Sequence, residues 1–367
     1  MVIAGLMSGS SLDGLDLAIC DFNEGNGGIS WHLKANTTVP FIEQLATKLK
    51  MAPSLSAKEL VSLDHEFATY CAQAISDYAK EQALTIDYIA SHGHTVFHEP
   101  QDGYTLQIGN GGVIAAISEI PTICDFRVND IALGGQGAPI VPIVEHYLYP
   151  NITYFLNLGG IANISIHDSS IIAYDICPCN QILNRLALIK GMPYDNNGAM
   201  ASEGKVHQGL LDRLKQIKYF EAPPPKSLDN TWVQTVFYDC IEDVGLAPAD
   251  ALATMTIFVA EQVAEAVDSY GIDTQKDVKL MITGGGAHNS FLLKCITERL
   301  PQEVSIMSVD PAIIDAKEAI LMAVMGYLRV HEKANTITSV TGATRATCGG
   351  AIYMPLNANS KHKPILS

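Results

Sequence analysis

One pattern, met twice, limits this chain more than its size or composition does. Val2, Ile3 and Ala4 form a short apolar run that empties into "GLMSGSSLDGLD", Gly5 to Asp16, a dozen positions crowded with glycines, small hydroxyls and two carboxylates. Beyond it Leu15, Leu17, Ile19 and Cys20 alternate with Asp16, Ala18 and Asp21. That alternation predicts a second strand, and so a β-hairpin with a polar, glycine-rich tip. Such a tip lets backbone N–H groups approach an anion closely, although an ordinary surface hairpin reads the same way. It is not a P-loop, because no Gly-Lys-Ser/Thr follows, and the chain has no GxGxxG. From Ile152 to Ile176 the pattern returns as "ITYFLNLGGIANISIHDSSIIAYDI": strand, glycine turn, alternating strand, short connection, third strand.

Between and after the two hairpins, strand-like and helical runs alternate, which points to an α/β fold. Residues 41–51 and 57–84 read as helices, the second with apolar positions at Leu60, Leu63, Phe67, Tyr70, Cys71, Ile75 and Tyr78. "DYIASHGHTVFH" (Asp87 to His98) reads as a buried strand over Tyr88–Ala90 that empties into a polar loop. "KLMITGGGAHN" (Lys279 to Asn289) reads as a strand ending in three glycines, with a helix beginning near Ser290. Ligands on open α/β sheets lie at the carboxyl ends of strands, where these loops gather. A chain of 367 residues suits two domains, expected at 1–148, completed by 335–367, and at 149–334.

Composition then excludes several functions. With 23 Lys+Arg against 39 Asp+Glu the formal charge is -16, which opposes nucleic acid and anionic membrane as partners. No stretch approaches a membrane span and no basic, apolar leader opens the chain, so a cytoplasmic protein is expected. The eight cysteines lack CxxC pairs and zinc spacing, so reduced thiols are the expectation.

Two hairpin-led α/β units facing each other across a cleft, each offering a turn to the same phosphates, is the design of the actin, hexokinase and Hsp70 class of ATPases. Read in order, "GLMSGSSLDGLD", "SHGHTVFHEP", "LQIGNGGVIA", "ICDFRVNDIALGGQGAPIVP", "LNLGGIANIS", "YDICPCNQILN", "PPPKSLDN", "ITGGGAHN" and "DAKEAILMA" resemble, from end to end, the anhydro-N-acetylmuramic acid kinase family. The resemblance implies two actin/ribonuclease-H-like domains around an ATP cleft. It also implies a homodimer acting in cell-wall recycling. The implied reaction opens the 1,6-anhydro bridge of a sugar with water while the freed O6 takes the γ-phosphoryl group of ATP.

Under that resemblance the phosphates meet the stretch Gly9, Ser10, Ser11, Leu12, Asp13, Gly14, Leu15 and Asp16, together with Gly159 and Gly160 of the second hairpin. Phosphoryl transfer needs positioning and charge neutralisation. Asp13 would hold Mg²⁺, through water, since hard cations favour oxygen ligands; as a bare residue it reads equally as a turn-former. Asp175 stands in the family's position for the base that takes a proton from water, and it must then be ionised. Without the resemblance it would read equally as a cap on the helix starting near Asn180. His92, Arg127 and Glu318 match sugar-gripping positions: Arg offers a donor fork suited to a lactyl carboxylate, and Glu318 accepts hydroxyls. Gly284, Gly285, Gly286 and Asn289 would cup the adenine, three glycines letting a base lie on bare backbone.

The chain departs from the family at Ser10, where Thr is usual, at His94, where Gln is usual, and at "DICPCN", where a threonine is followed by Gly-Pro-Gly-Asn. The last departure brings Ile176, Cys177 and Cys179 beside the expected base. Cys177 and Cys179 read as small buried thiols, a CxC pair being weak as a metal or redox site. "PPPKSL" (Pro223 to Leu228) reads as a rigid surface segment and says little about chemistry. Two other functions stay open at this level: a kinase of a different sugar such as levoglucosan, and a sensor that binds ATP and sugar without turnover.

Overall fold

A computed structural model describes residues 1–355 except 10, 11, 26, 27, 225, 271–277 and 308. The chain divides into two compact units, Met1–Pro150 with Pro311–Ser367, and Asn151–Asp310.

The first unit opens with the expected hairpin, β1 (Val2–Ser8) and β2 (Gly14–Gly25), and adds β3 (Gly28–Pro40), all antiparallel. Helices Glu43–Met51 and Ala57–Glu81 follow. The second starts on a capping box, in which the Ser56 hydroxyl accepts from Glu59 N–H and the Glu59 carboxylate accepts from Ser56 N–H. β4 (Tyr88–Ser91) runs parallel to β1. The polar loop expected after it is instead a second hairpin, β5 (His94–Glu99) with β6 (Tyr104–Ile108). Gly93, at φ 77, makes the turn into β5 that only glycine adopts without strain. β7 (Thr122–Cys124) extends the main sheet beside β4.

The second unit repeats the plan. β8 (Tyr154–Leu158), β9 (Ile161–His167) and β10 (Ile171–Pro178) form an antiparallel meander, and β11 (Val278–Thr283) and β12 (Val304–Met307) join β8 in parallel. Helix Asn180–Leu188 leaves β10, and the long helix Pro248–Asp268 crosses the core.

The chain then returns to the first unit at Pro311, earlier than the 335 read from sequence. Helix Lys317–Val330 accordingly belongs to the first unit, which β13 (Ala351–Tyr353) completes beside β7. Close packing explains the difference. Gly5 lies so near this helix that a Cβ would meet Ala319 O at 1.8 Å, and one on Gly326 would meet Ala90 Cβ at 2.7 Å. Strands β1 and β2 are therefore buried on both faces. Leu15, Leu17 and Ile19 join one core with Phe67 and Ile75, while Ala18, Cys20 and Phe22 join another with Ala319, Ala323 and Tyr327. Ala18 thus faces a second core rather than the polar side expected from its alternation with Asp16 and Asp21.

The two sheets share one order. In the first it is β13-β7-β4-β1-β2-β3 and in the second β10-β9-β8-β11-β12. Apart from the added β13, each consists of a three-strand meander followed by two strands parallel to its first strand. The repeat legible in the sequence is thus a repeat of topology, and the α/β class is observed. No helix among the described residues is long and apolar enough to cross a membrane.

Candidate active site

At the turn of the first hairpin Leu12 has a φ of 58 and its N–H donates to Gly9 O at 3.4 Å. Ser10 and Ser11 lie outside the described residues. A Cβ on Gly14 would stand 2.7 Å from Val39 O, so this glycine serves the close approach of β3. Leu15 is 1% exposed and Leu12 packs against the same core, so neither side chain faces a ligand. The chemistry of the stretch rests on Asp13, which is exposed, and Asp16, whose Oδ1 accepts from the Thr38 hydroxyl at 2.6 Å. Burial raises the pKa of Asp16, its bond from Thr38 opposes the rise, and the charge of Asp13 adds to it. Glu318, at the start of helix Lys317–Val330, feels the same charges. Burial raises its pKa, Lys317 and Arg127 pull it down, and Asp16 and Asp13 push it up. Mutually repelling carboxylates of this kind are stabilised by a cation.

Two sugar-site candidates meet directly. The Arg127 Nε–H donates to His92 Nε2 at 3.0 Å, and Nη1 donates to Gly137 O. The other ring nitrogen of His92 lies 3.0 Å from Gly93 O. A ring that accepts at Nε2 must carry its proton on Nδ1, so His92 is neutral and donates to Gly93. Gly137 is held in turn by its N–H on Asp130 Oδ2 at 2.8 Å, and Asp130 Oδ1 accepts from the Thr341 hydroxyl. Among the described residues no partner engages Arg127 Nη2, which leaves one edge of the guanidinium for a ligand. His94, the other departure-bearing histidine, is buried 3.1 Å from the Ser8 hydroxyl and against Phe67, a packed structural imidazole.

Burial first, and the Arg127 charge second, pull the pKa of His92 down to about 3. Between about 3 and the ordinary 6.5 the folded ring stays neutral while the unfolded ring binds a proton. Stability is therefore lost as pH falls through this window. From pH 7 to pH 5 this ring accounts for a loss of up to about 2 kcal/mol. Burial acts in the same direction on His94 and His98. His92→Asn should accordingly keep part of the slope but lose that share of it when denaturant unfolding is compared at the two pH values. An unchanged slope would exclude a neutral, buried His92.

In the second unit Asp175 sits on β10 where the register shifts between Asp175 and Cys177. It does not cap the helix Asn180–Leu188, whose N-cap is Cys179. Its Oδ2 accepts from Leu228 N–H at 2.9 Å, its N–H donates to Lys226 O at 3.0 Å, and its carbonyl accepts from the Tyr219 hydroxyl at 2.6 Å. Oδ1 has no partner among the described residues. Burial raises the pKa of Asp175, and the bond from Leu228 opposes the rise. The segment containing Lys226 and Leu228, read from sequence only as rigid surface, thus lies against the expected base. Cys177 and Cys179 are fully buried in the core. Burial pushes the Cys179 thiol up to about 12 and the Cys177 thiol well above its ordinary value. Both are protonated packing groups, and no group of three His, Cys, Asp or Glu among the described residues could hold a metal.

The second glycine turn supports that helix. Cys179 and Gln181 donate to Gly160 O and Asn180 donates to Gly159 O, at 2.9, 3.1 and 3.1 Å. Among the described residues nothing engages the N–H groups of Gly159 and Gly160. Nearby, Gly285, Gly286 and Asn289 line a cavity of about 390 Å³ with Asn180, Asn184 and Tyr194. The glycines differ in use. A Cβ on Gly284 or Gly286 would strike Leu158 at 2.8 or 2.6 Å, whereas Gly285 has room. Two of the three thus fit the loop to β8 and only Gly285 leaves backbone open. The Asn289 side chain accepts from Leu292 N–H, capping helix Ser290–Thr297. Sequence reasoning missed Asn180 and Asn184, although their i,i+4 spacing places them on one helix face.

A family profile described as anhydro-N-acetylmuramic acid kinase matches residues 1–355. This chain belongs to the anhydro-N-acetylmuramic acid kinase family. The anhydro-N-acetylmuramic acid kinase of Aliivibrio fischeri is 36% identical over 95% of this chain and 98% of its own length. That of Pasteurella multocida is 34% identical over 96% and 97%. Among solved structures, a ROK hexokinase from Thermus thermophilus aligns at a TM-score of 0.41 and 13% identity over 89% of this chain and 100% of that one. The chain is an enzyme, a kinase of the anhydro-N-acetylmuramic acid kinase family.

Proposed function

We propose that this enzyme uses ATP and water to open the 1,6-anhydro ring of anhydro-N-acetylmuramic acid and gives N-acetylmuramic acid 6-phosphate. The observation that carries the reading is the state of Asp175. One carboxylate oxygen is anchored by Leu228 N–H, and the other has no protein partner among the described residues. A carboxylate so held can take a proton from a water molecule as that water attacks the anomeric carbon. The bond from this carbon to O6 breaks, and O6 takes the γ-phosphoryl group as ADP leaves. Arg127 fits the lactyl carboxylate through its unengaged edge, His92 holds Arg127 in place, and Glu318 accepts sugar hydroxyls.

ATP phosphates suit the N–H groups of Gly159 and Gly160, and the cavity beside Gly285 suits the base. Mg²⁺ fits the acidic pair Asp13 and Asp16, because this ion keeps several waters and needs only one or two carboxylates besides phosphate oxygens. When bound it neutralises phosphate charge. The same reading expects a homodimer in the cytoplasm.

A reaction run in ¹⁸O-labelled water tests this. The label is expected on the anomeric oxygen of a sugar phosphate. Label in inorganic phosphate, with no sugar phosphate formed, would replace the proposal by simple ATP hydrolysis.

A further inference from the structure

We infer that Tyr219, with the main chain at Lys226 and Leu228, is a positioning device that holds the bulged strand at Asp175 in register for proton transfer; this rests on the reading of Asp175 as the base. Strand β10 loses its regular pairing at this point, since Asp175 faces Asn163 but Cys177 faces Ala162, leaving Ile176 outside the ladder. A bulge re-aims a side chain and forfeits the ladder bonds that would fix it. Residues from outside the sheet replace them. The N–H and C=O of Asp175 and one carboxylate oxygen are each tied to Lys226, Tyr219 and Leu228 respectively, at 3.0, 2.6 and 2.9 Å.

Tyr219 is itself fixed. It lies on helix Lys218–Glu221, its carbonyl accepts from Lys226 Nζ at 3.2 Å, and that ammonium sits 4.8 Å from the centre of its ring. The ring also tilts against Trp232 at 5.8 Å and meets Phe220 edge-on at 5.4 Å. A phenol ring packed on three sides, with its hydroxyl on the main-chain carbonyl of the base, sets the height of the carboxylate above the sheet. An error of about 1 Å there can cost about 10²-fold in rate.

Tyr219→Phe removes the hydroxyl and keeps the ring. Its kcat is expected to fall by about 10-fold, the upper worth of one hydrogen bond, with KM for sugar and for ATP within about twofold and melting lowered by only the few degrees, about 2–4 °C per kcal/mol, that one lost bond brings. Leu228→Pro removes the N–H that favours the ionised carboxylate, so the acid limb of its kcat/KM profile should move to higher pH. If Tyr219→Phe keeps its kcat and the limb of Leu228→Pro stays in place, the positioning inference is overturned. Should Leu228→Pro not fold, the kcat of Tyr219→Phe decides alone. Asp175→Asn, assayed alongside, separates the two readings. Full activity there removes the base itself, whereas an inactive Asp175→Asn beside a fully active Tyr219→Phe removes only the positioning role.

Discussion

Asp175→Asn is expected to lower turnover by about 10²- to 10⁴-fold, the usual worth of general base catalysis, while ATP still binds. Asparagine keeps the shape, and its carbonyl can still accept from Leu228 N–H, so the strand and the segment over it have no cause to move. Only proton affinity is lost. The burial that raises the pKa of this carboxyl also makes it a better base, provided the pH remains high enough to keep it ionised. Single-turnover assays with the anhydro sugar, beside nucleotide binding by calorimetry, separate the two effects. Turnover near that of the unmodified enzyme would end the assignment of Asp175 as the base.

Gly5→Ala should be the most damaging single methyl in the first unit. The added carbon would stand 1.8 Å from Ala319 O and 2.7 Å from Ala323 N, both backbone atoms of helix Lys317–Val330. Neither can swing aside as a side chain could, so the helix must lift from β1 and from the core beneath it. A loss at or above about 3 kcal/mol is expected, the upper end of overpacking costs, against a total stability of about 5–15 kcal/mol. Gly25→Ala is the control: nothing lies within 4 Å of its added carbon, and its effect should stay within about 0.5 kcal/mol. Melting temperatures of the two variants decide the matter, and equal melting would mean that the helix seats more loosely than described.

What the sequence made legible was whatever depended on local rules. The two hairpins announced themselves through glycine turns between alternating strands, and the Ala57–Glu81 helix through its periodicity. What stayed hidden was non-local. Lys317–Val330 carries the small residues needed to approach β1, but nothing in its own pattern names the sheet it covers. The contact of Leu228 with Asp175 spans more than fifty positions and uses a backbone N–H, a group every residue but proline has. No side-chain pattern can advertise such a donor. The misreading of Ala18 has the same origin: alternation marks a strand with one wet face, and at Ala18 both faces of β2 are covered.

The place where the chain leaves and re-enters the first unit also governs the order in which the protein can be completed. Asn151–Asp310 is continuous, so it emerges from the ribosome whole and able to fold as a block. The earlier half cannot finish. The face of β1 and β2 bearing Ile3, Ala18 and Cys20 lacks the larger part of its cover until helix Lys317–Val330 is made. At about 5–20 residues per second, that interval is on the order of ten to forty seconds. For that time the nascent protein carries a greasy, unfinished sheet, the kind of surface that holdase chaperones are built to shield.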